Sequence, residues 1–333
     1  MEVYDEVIST IEDFRNKKIM VLGDLIVDEY VTGKVNRISP EAPIPILEFK
    51  KSTLEAGGAS NVAHNVKMLG ADTYICGVAA MDNAGIWLRK YLKDKEINVD
   101  GIFQDARPTS KKTRYATKGQ QLLRVDTEVK DCISTSMQKD ILTYIKSHIS
   151  SMDAIILSDY RKGIFNEVRF VKKIIQMCNE THTLVIIDSK SKEIEAFKGA
   201  DLVKPNNLEL EQAAGITITD EITFRAAGKK YLSNSGAKSL VVTRGAKGIA
   251  IFRTDGTWDS FPAEEVQVYD VTGAGDTVIS TIALGLASGL EIEKAIILAN
   301  IAAGVVIGKI GTVPITYKEL DRAIYERKNC VIK

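Results

Sequence analysis

The chain has 333 residues, Lys+Arg and Asp+Glu balance at 44 each, and the formal net charge is zero. That balance supplies no overall field to attract nucleic acid or an anionic membrane, and no apolar run reaches spanning length without Gly, Ser or charge. Four cysteines without CxxC spacing and three scattered histidines argue against a disulfide framework or a His-rich metal site, and a cytoplasmic protein is expected.

Met1 to Asn16 has the pattern of an acidic amphipathic helix, not of a basic-then-apolar leader. Lys18 to Gly23 (KIMVLG) is a short apolar run ending at Gly, which predicts a buried strand. Asp24 and Asp28 follow its carboxyl end, the edge at which open parallel sheets bind ligands. From Tyr30 to Phe49 the chain is punctuated by Pro40, Pro43 and Pro45, and short alternating pieces predict small strands outside the main sheet. Residues 111–126 have a similar texture, with a turn at Lys118-Gly119. Two such insertions, about 30–50 and 110–126, predict a β-lid on one domain spanning 1–333. Between them, Glu55-Ala-Gly-Gly-Ala-Ser-Asn61 leads into a helix through Leu69, with small residues that would let a ligand approach the backbone. Thr73–Ala79 reads as a strand and Asn83–Lys95 as a helix.

From Ser134 the alternation is regular. A helix to His148 is followed by a strand Asp153–Ser158, a helix Asn166–Asn179 and a strand Thr183–Asp188. A short strand Ala200–Lys204, a helix Ile222–Leu232 and a strand Ser239–Thr243 come next. Gly248–Arg253 and Gly256–Phe261 then form a hairpin, and a helical block opens at Gly273. Alternation of this kind predicts a mostly parallel sheet with helices on both faces, a three-layer α/β/α architecture.

Polar residues gather where these strands should end: Asp24, Asp28, Asp159, Asp188 with Lys190, Asn206 with Glu209, Thr243 with Arg244, and Asp276. In Asp270-Val-Thr-Gly-Ala-Gly-Asp276 two glycines flank Ala274, and a buried helix, Thr277 to Leu290, follows. A Gly-rich turn feeding a helix directs unpaired N–H groups and the positive end of the helix dipole at one point, a setting for a phosphate oxygen. A carboxylate there is awkward for anion binding alone, and makes sense as a base beside the phosphate. Spacing by itself leaves a plain left-handed turn with an Asp near the helix start as an equal reading. No GxxxxGK[ST] phosphate loop, no GxGxxG after an N-terminal strand and no serine nucleophile elbow are present, which disfavours a Walker-type NTPase, a Rossmann oxidoreductase and an α/β-hydrolase.

Gly57-Gly-Ala-Ser-Asn61, Asn206-Asn-Leu-Glu209 and Asp270 to Asp276, in this order, resemble the two signatures and the N-x-x-E element of the ribokinase (PfkB) carbohydrate kinases, over about Lys18 to Ala323. Asn36-Arg-Ile-Ser-Pro-Glu-Ala-Pro-Ile-Pro45, Gln120 to Asp126 and Ser158-Asp-Tyr-Arg-Lys-Gly163 further resemble the heptose 7-phosphate kinases of lipopolysaccharide-core precursor synthesis. The H-x-G-H pattern of the adenylyltransferase domain often fused to those kinases is absent, so the resemblance implies a stand-alone kinase. Ser189, where Pro is expected in an Asp-Pro-Lys run, and Lys118-Gly119 depart from the narrower pattern and leave the sugar in question.

The resemblance implies ATP and Mg2+ as cofactors. Asp276 would be the base, and the N–H groups of Gly273, Ala274 and Gly275 with that of Asp276 would form the anion hole. Asn206 and Glu209 would organise Mg2+ and its waters beside the nucleotide, a helix cap with a surface Glu being the plainer alternative. Asp28, Gly58 and Asn61 would contact the sugar, and Arg37, Arg114, Lys162 and Lys190 are candidates for a sugar phosphate. Thr243, Gly245 and Asn300 fall where the family contacts nucleotide, and Asp270, Thr272, Gly308 and Gly311 resemble a monovalent-cation loop, with K+ the candidate ion. A homodimer through the lid is implied, with no nucleic acid or membrane partner. Fructokinase-like or 2-keto-3-deoxygluconate kinase activity, and a non-catalytic sugar or nucleotide sensor, are the rival readings.

Overall fold

The structure, a computed structural model, describes residues 2–309, 311 and 313–331. Met1 of the expected N-terminal helix lies outside them. The strands are β1 (Lys18–Gly23), β2 (Leu25–Ile38), β3 (Pro45–Gly58), β4 (Asp72–Ala79), β5 (Asn98–Gln104), β6 (Ser110–Thr117), β7 (Gln120–Thr127), β8 (Ala154–Asp159), β9 (Leu184–Ser189), β10 (Leu202–Val203), β11 (Ser239–Thr243), β12 (Ile249–Arg253) and β13 (Trp258–Phe261). The helices are α1 (Glu2–Glu12), α2 (Ala59–Met68), α3 (Asn83–Asp94), α4 (Thr135–His148), α5 (Val168–Thr181), α6 (Asn207–Ala214), α7 (Glu221–Ser235), α8 (Ala274–Ala287), α9 (Ile292–Ile307) and α10 (Tyr317–Val331).

Nine strands form the main sheet in the order β13-β12-β11-β10-β9-β8-β1-β4-β5. Pairing is parallel from β5 to β11 and antiparallel only at the β11–β12–β13 end. Alternate residues of the apolar runs feed two cores: Ile19, Val21 and Ile156 face α2, α8 and α9, whereas Met20, Leu22 and Ile155 face α5 and α7. Both faces of each inner strand are therefore dry, which is why these segments read as near-continuous apolar runs. The fold is a three-layer α/β/α architecture with a mostly parallel sheet, as the sequence predicts. No helix among the described residues is long and apolar enough to cross a membrane.

A second sheet, ordered β3-β2-β6-β7, stands beside the first. Instead of small pieces, β2 and β3 are 14 residues each, joined antiparallel with register breaks at Thr32/Gly33 and Val35/Ile38. The breaks let a long ribbon bend away from the main sheet, and they disguise it in the sequence as short strands. β2 also pairs in parallel with β6, setting Asp28 opposite Lys112 and Tyr30 opposite Arg114 on one face. β5, an edge strand of the main sheet, has no counterpart in the sequence reading because Asn98, Asp100 and Gln104 break its apolar pattern.

Candidate active site

The parallel strands β1, β8, β9, β10 and β11 end together, and α8 begins opposite them. A cleft of about 390 Å³ lies between, lined by Asp28, Gly57, Gly58, Asn61, Asp276 and Thr243 among others, and bordered above by the second sheet. Gly273, at φ 82°, ψ −5°, caps the start of α8 in the left-handed region that glycine adopts at least cost. In the first turn the N–H groups of Gly275 and Asp276 have no acceptor among the described residues, while that of Ala274 is turned to Val271 O at 3.3 Å. The helix thus offers two free donors at the cleft, with its positive dipole end behind them.

Asp276 sits in that turn and is 7% exposed. Each of its oxygens is held: Oδ2 accepts from Asn61 Nδ2 and Oδ1 from the Tyr160 hydroxyl, both at 2.6 Å. Burial raises its carboxyl above the ordinary range, and Asp188 adds to this, against the opposing pull of the Tyr160 and Asn61 donors and of Lys204. Asn61 itself is fixed by Asn65, which donates to its carbonyl at 2.9 Å, and Asn65 accepts from the Thr277 hydroxyl at 2.9 Å, so α2 and α8 are tied together beneath the carboxylate. Asp24, 2% exposed, positions Tyr160: its Oδ2 accepts from the N–H groups of Tyr160 and Lys162, both at 2.9 Å.

Gly57 is packed so closely that a Cβ there would lie 2.2 Å from Asp28 Oδ2. That carboxylate pairs with Arg114 at 2.6 Å, and Arg114 also stacks over Tyr30. On the other side, Lys204 is 3% exposed and pairs with Asp188 at 3.1 Å. Burial alone would weaken its ammonium, but Asp188 and Glu209 outweigh this and raise its pKa. Asn206 and Glu209 form a capping box on α6: Asn206 Oδ1 accepts from Glu209 N at 2.9 Å, and Glu209 Oε2 from Asn206 N at 2.8 Å. The box uses one oxygen of each side chain, leaving Asn206 Nδ2 and Glu209 Oε1 without a hydrogen-bond partner among the described residues, in two residues that line the cleft. The capping alternative and a ligand-facing role thus coexist in the same pair. Burial, with Asp188 nearby, lifts the Glu209 carboxyl.

Asp270 ties the turn to the loop after α9, accepting from Thr272 N at 2.9 Å and from Gly311 N at 3.2 Å. Gly308 caps α9, so Asp270, Thr272, Gly308 and Gly311 belong to one neighbourhood. Among the described residues no group of three or more His, Cys, Asp or Glu side chains could hold a metal ion directly.

Not every expected residue reaches the cleft. Arg37 is exposed near the far end of β2 and Gly245 opens a short turn after β11, and neither lines it. Asn300 donates to the carbonyls of Phe261 and Pro262, at 3.5 and 3.2 Å, outside the lining. Lys162 is also outside, its ammonium 2.6 Å from Glu128. Conversely, the cleft contains Tyr160, Lys112 and Lys204, none of which the sequence singled out. Tyr160 lies within a recognised motif, and Lys204 stands as a lone charge after a buried strand and before Pro205-Asn206. Lys112 carries no such signal.

The backbone resembles solved sugar kinases. It superposes on Arabidopsis thaliana ribokinase, solved with ribose and ATP, with TM-score 0.75 and 20% identity over 92% of this chain and 98% of that one. Escherichia coli phosphofructokinase-2, solved with potassium, gives 0.77 and 18% over 94% and 99%. Residues 16–318 match the pfkB family carbohydrate kinase model, and the chain belongs to that family of sugar phosphotransferases. Among its relatives, a protein named "Bifunctional protein HldE" from Syntrophotalea carbinolica is 37% identical over 95% of this chain and 65% of its own length. The Helicobacter hepaticus protein of the same name is 38% identical over 93% and 64%. The chain therefore spans a little under two thirds of the length of these relatives.

Proposed function

We propose that the chain transfers the γ-phosphoryl group of ATP to the anomeric C1 hydroxyl of D-glycero-D-manno-heptose 7-phosphate, giving the 1,7-bisphosphate for ADP-heptose and lipopolysaccharide-core synthesis. The observation that carries the reading is the buried carboxylate of Asp276, held at both oxygens and set in the first turn of a helix where the N–H groups of Gly275 and Asp276 have no acceptor among the described residues. Asp276 takes the proton of the C1 hydroxyl as O1 bonds to the γ-phosphorus. The bond from that phosphorus to the β,γ-bridging oxygen breaks, and the electron pair leaves with ADP. Burial raises the pKa of Asp276, which makes its carboxylate a stronger base than that of an exposed Asp. The N–H groups of Gly275 and Asp276 face the charge on the transferred group.

Glu209 Oε1 is an acceptor and fits an outer-sphere site for Mg2+, which keeps most of its water shell, whereas Asn206 Nδ2 is a donor and suits a phosphate oxygen. Bound there, Mg2+ would neutralise phosphate charge, with Glu209 accepting from its waters and Asn206 donating to the phosphate beside them. Asp28 and Gly58 hold the sugar, Asn61 acts through Asp276, and Thr243 lines the nucleotide end. The loop of Asp270, Thr272, Gly308 and Gly311 is the candidate site for K+. The HldE-named relatives and the Asn36–Pro45 segment favour the heptose phosphate over other sugars.

The second sheet acts as a lid and as the interface of a cytoplasmic homodimer. Leu123 and Val125 alternate on the face of β7 opposite that of Lys112 and Arg114, and they are 57% and 43% exposed. Phe49 on β3 is 70% exposed, so the lid presents apolar side chains that a second lid would cover. A coupled ADP-release assay across sugars and sugar phosphates tests the substrate. Turnover of heptose 7-phosphate well above that of fructose and 2-keto-3-deoxygluconate is expected, and the reverse order overturns the assignment.

A further inference from the structure

Lys112, Arg114, Lys190 and Lys204 border the cleft. Two are neutralised, Arg114 by Asp28 and Lys204 by Asp188. Lys112 and Lys190 have no carboxylate partner among the described residues. Their ammonium groups lie over one aromatic ring instead, 5.7 Å and 4.3 Å from the Tyr160 centroid. Lys112 is half-buried, and burial lowers its pKa; Lys190, Lys162 and Arg114 push the same way, while Asp28 opposes them. Lys190 is exposed, and cation–π contact offsets only part of the cost of half-burying the Lys112 charge beside it. A dianion between them would relieve the remainder.

The position is as informative as the charge. The Tyr160 hydroxyl is bonded to Asp276 while the two ammonium groups lie over the ring, so the ring sets them apart from the base. A ligand that brings a hydroxyl to Asp276 and an anion to Lys112 and Lys190 must carry the two several bonds apart on one carbon skeleton. We propose that Lys112 and Lys190 form the phosphomonoester subsite for the acceptor, selecting sugars phosphorylated at the end remote from the reacting hydroxyl. The proposal rests on Asp276 being the base. It removes three earlier candidates: Arg114 is committed to Asp28, Lys162 to Glu128, and Arg37 lies outside the cleft.

The competing phosphate source is ATP, and steady-state kinetics distinguish the two. Wild type, Lys112→Met and Lys190→Met are assayed with D-glycero-D-manno-heptose 7-phosphate, with the unphosphorylated heptose, and with ATP varied. Each Met variant is expected to raise the KM of the sugar phosphate roughly tenfold to a hundredfold, the loss of one charge-assisted contact. The KM of ATP and the turnover of unphosphorylated heptose should stay within about twofold of wild type, the error of such a comparison being far below the 1.4 kcal/mol of a tenfold change. Arg at either position, keeping the charge, should retain most of the affinity and shows that the fold is intact. If the variants instead raise the KM of ATP, or depress both sugars equally, the lysines serve the transferred phosphoryl and the subsite is refuted while the kinase reading stands. If wild type prefers unphosphorylated sugars, the sugar-phosphate reading falls with it.

Discussion

Tyr160→Phe removes a single hydroxyl from the site and leaves the ring, with its two lysines, in place. That hydroxyl donates to Asp276 Oδ1 at 2.6 Å inside a buried environment. A hydrogen bond to a charged group contributes about 1.5–3 kcal/mol, and 1.36 kcal/mol corresponds to one pKa unit. The bond stabilises the carboxylate over the acid, so its loss should raise the Asp276 pKa, already lifted by burial, by roughly 1–2 units further. Asp276 must be ionised to accept a proton. The acid limb of the kcat/KM profile should therefore move to higher pH by that amount in the variant, with a smaller fall on the plateau above it. The assay is ADP release across pH at low sugar concentration, for wild type and variant in parallel. An acid limb that does not move would refute the claim that Tyr160 tunes the base.

Gly57→Ala places a methyl group where Asp28 Oδ2 now lies, 2.2 Å from the new carbon. The carboxylate must swing away from Arg114, so the sugar KM should rise about tenfold, with a stability cost of about 1–3 kcal/mol and an unchanged ATP KM. Lys204→Met leaves the Asp188 carboxylate without its 3.1 Å partner, and a loss of about 3–5 kcal/mol in urea unfolding is expected, partly recovered by adding Asp188→Leu. Phe49→Glu, at a side chain 70% exposed on the second sheet, should weaken the proposed dimer by about 2 kcal/mol or more in sedimentation equilibrium without changing monomer stability. A monomeric wild type would contradict the lid interface.

What the sequence discloses here is local, and what it hides depends on distant approach. The Asp270–Asp276 turn is legible because glycines, carboxylate and helix start are consecutive. The inner strands are legible because burial on both faces leaves unbroken runs such as Lys18–Gly23. Tyr160 acquires meaning only by meeting Asp276 across 116 positions, and Lys112 only because β2 sets it opposite Asp28. Asn61, expected at the sugar, lines the cleft and also donates to Asp276, a pairing 215 positions apart that no motif spells out. The two long ribbon strands were concealed by their own register breaks, and β5 by the polar residues an edge strand tolerates.

Whether Asp276 is the base is decided most directly by Asp276→Asn, which keeps the size of the side chain and removes its charge. Turnover is followed by ADP release, and sugar-phosphate and nucleotide binding by calorimetry on the same protein. Loss of a general base should lower kcat about 10²–10⁴-fold while both dissociation constants stay within a few-fold of wild type. Turnover close to wild type would contradict the assignment of the base at the start of α8.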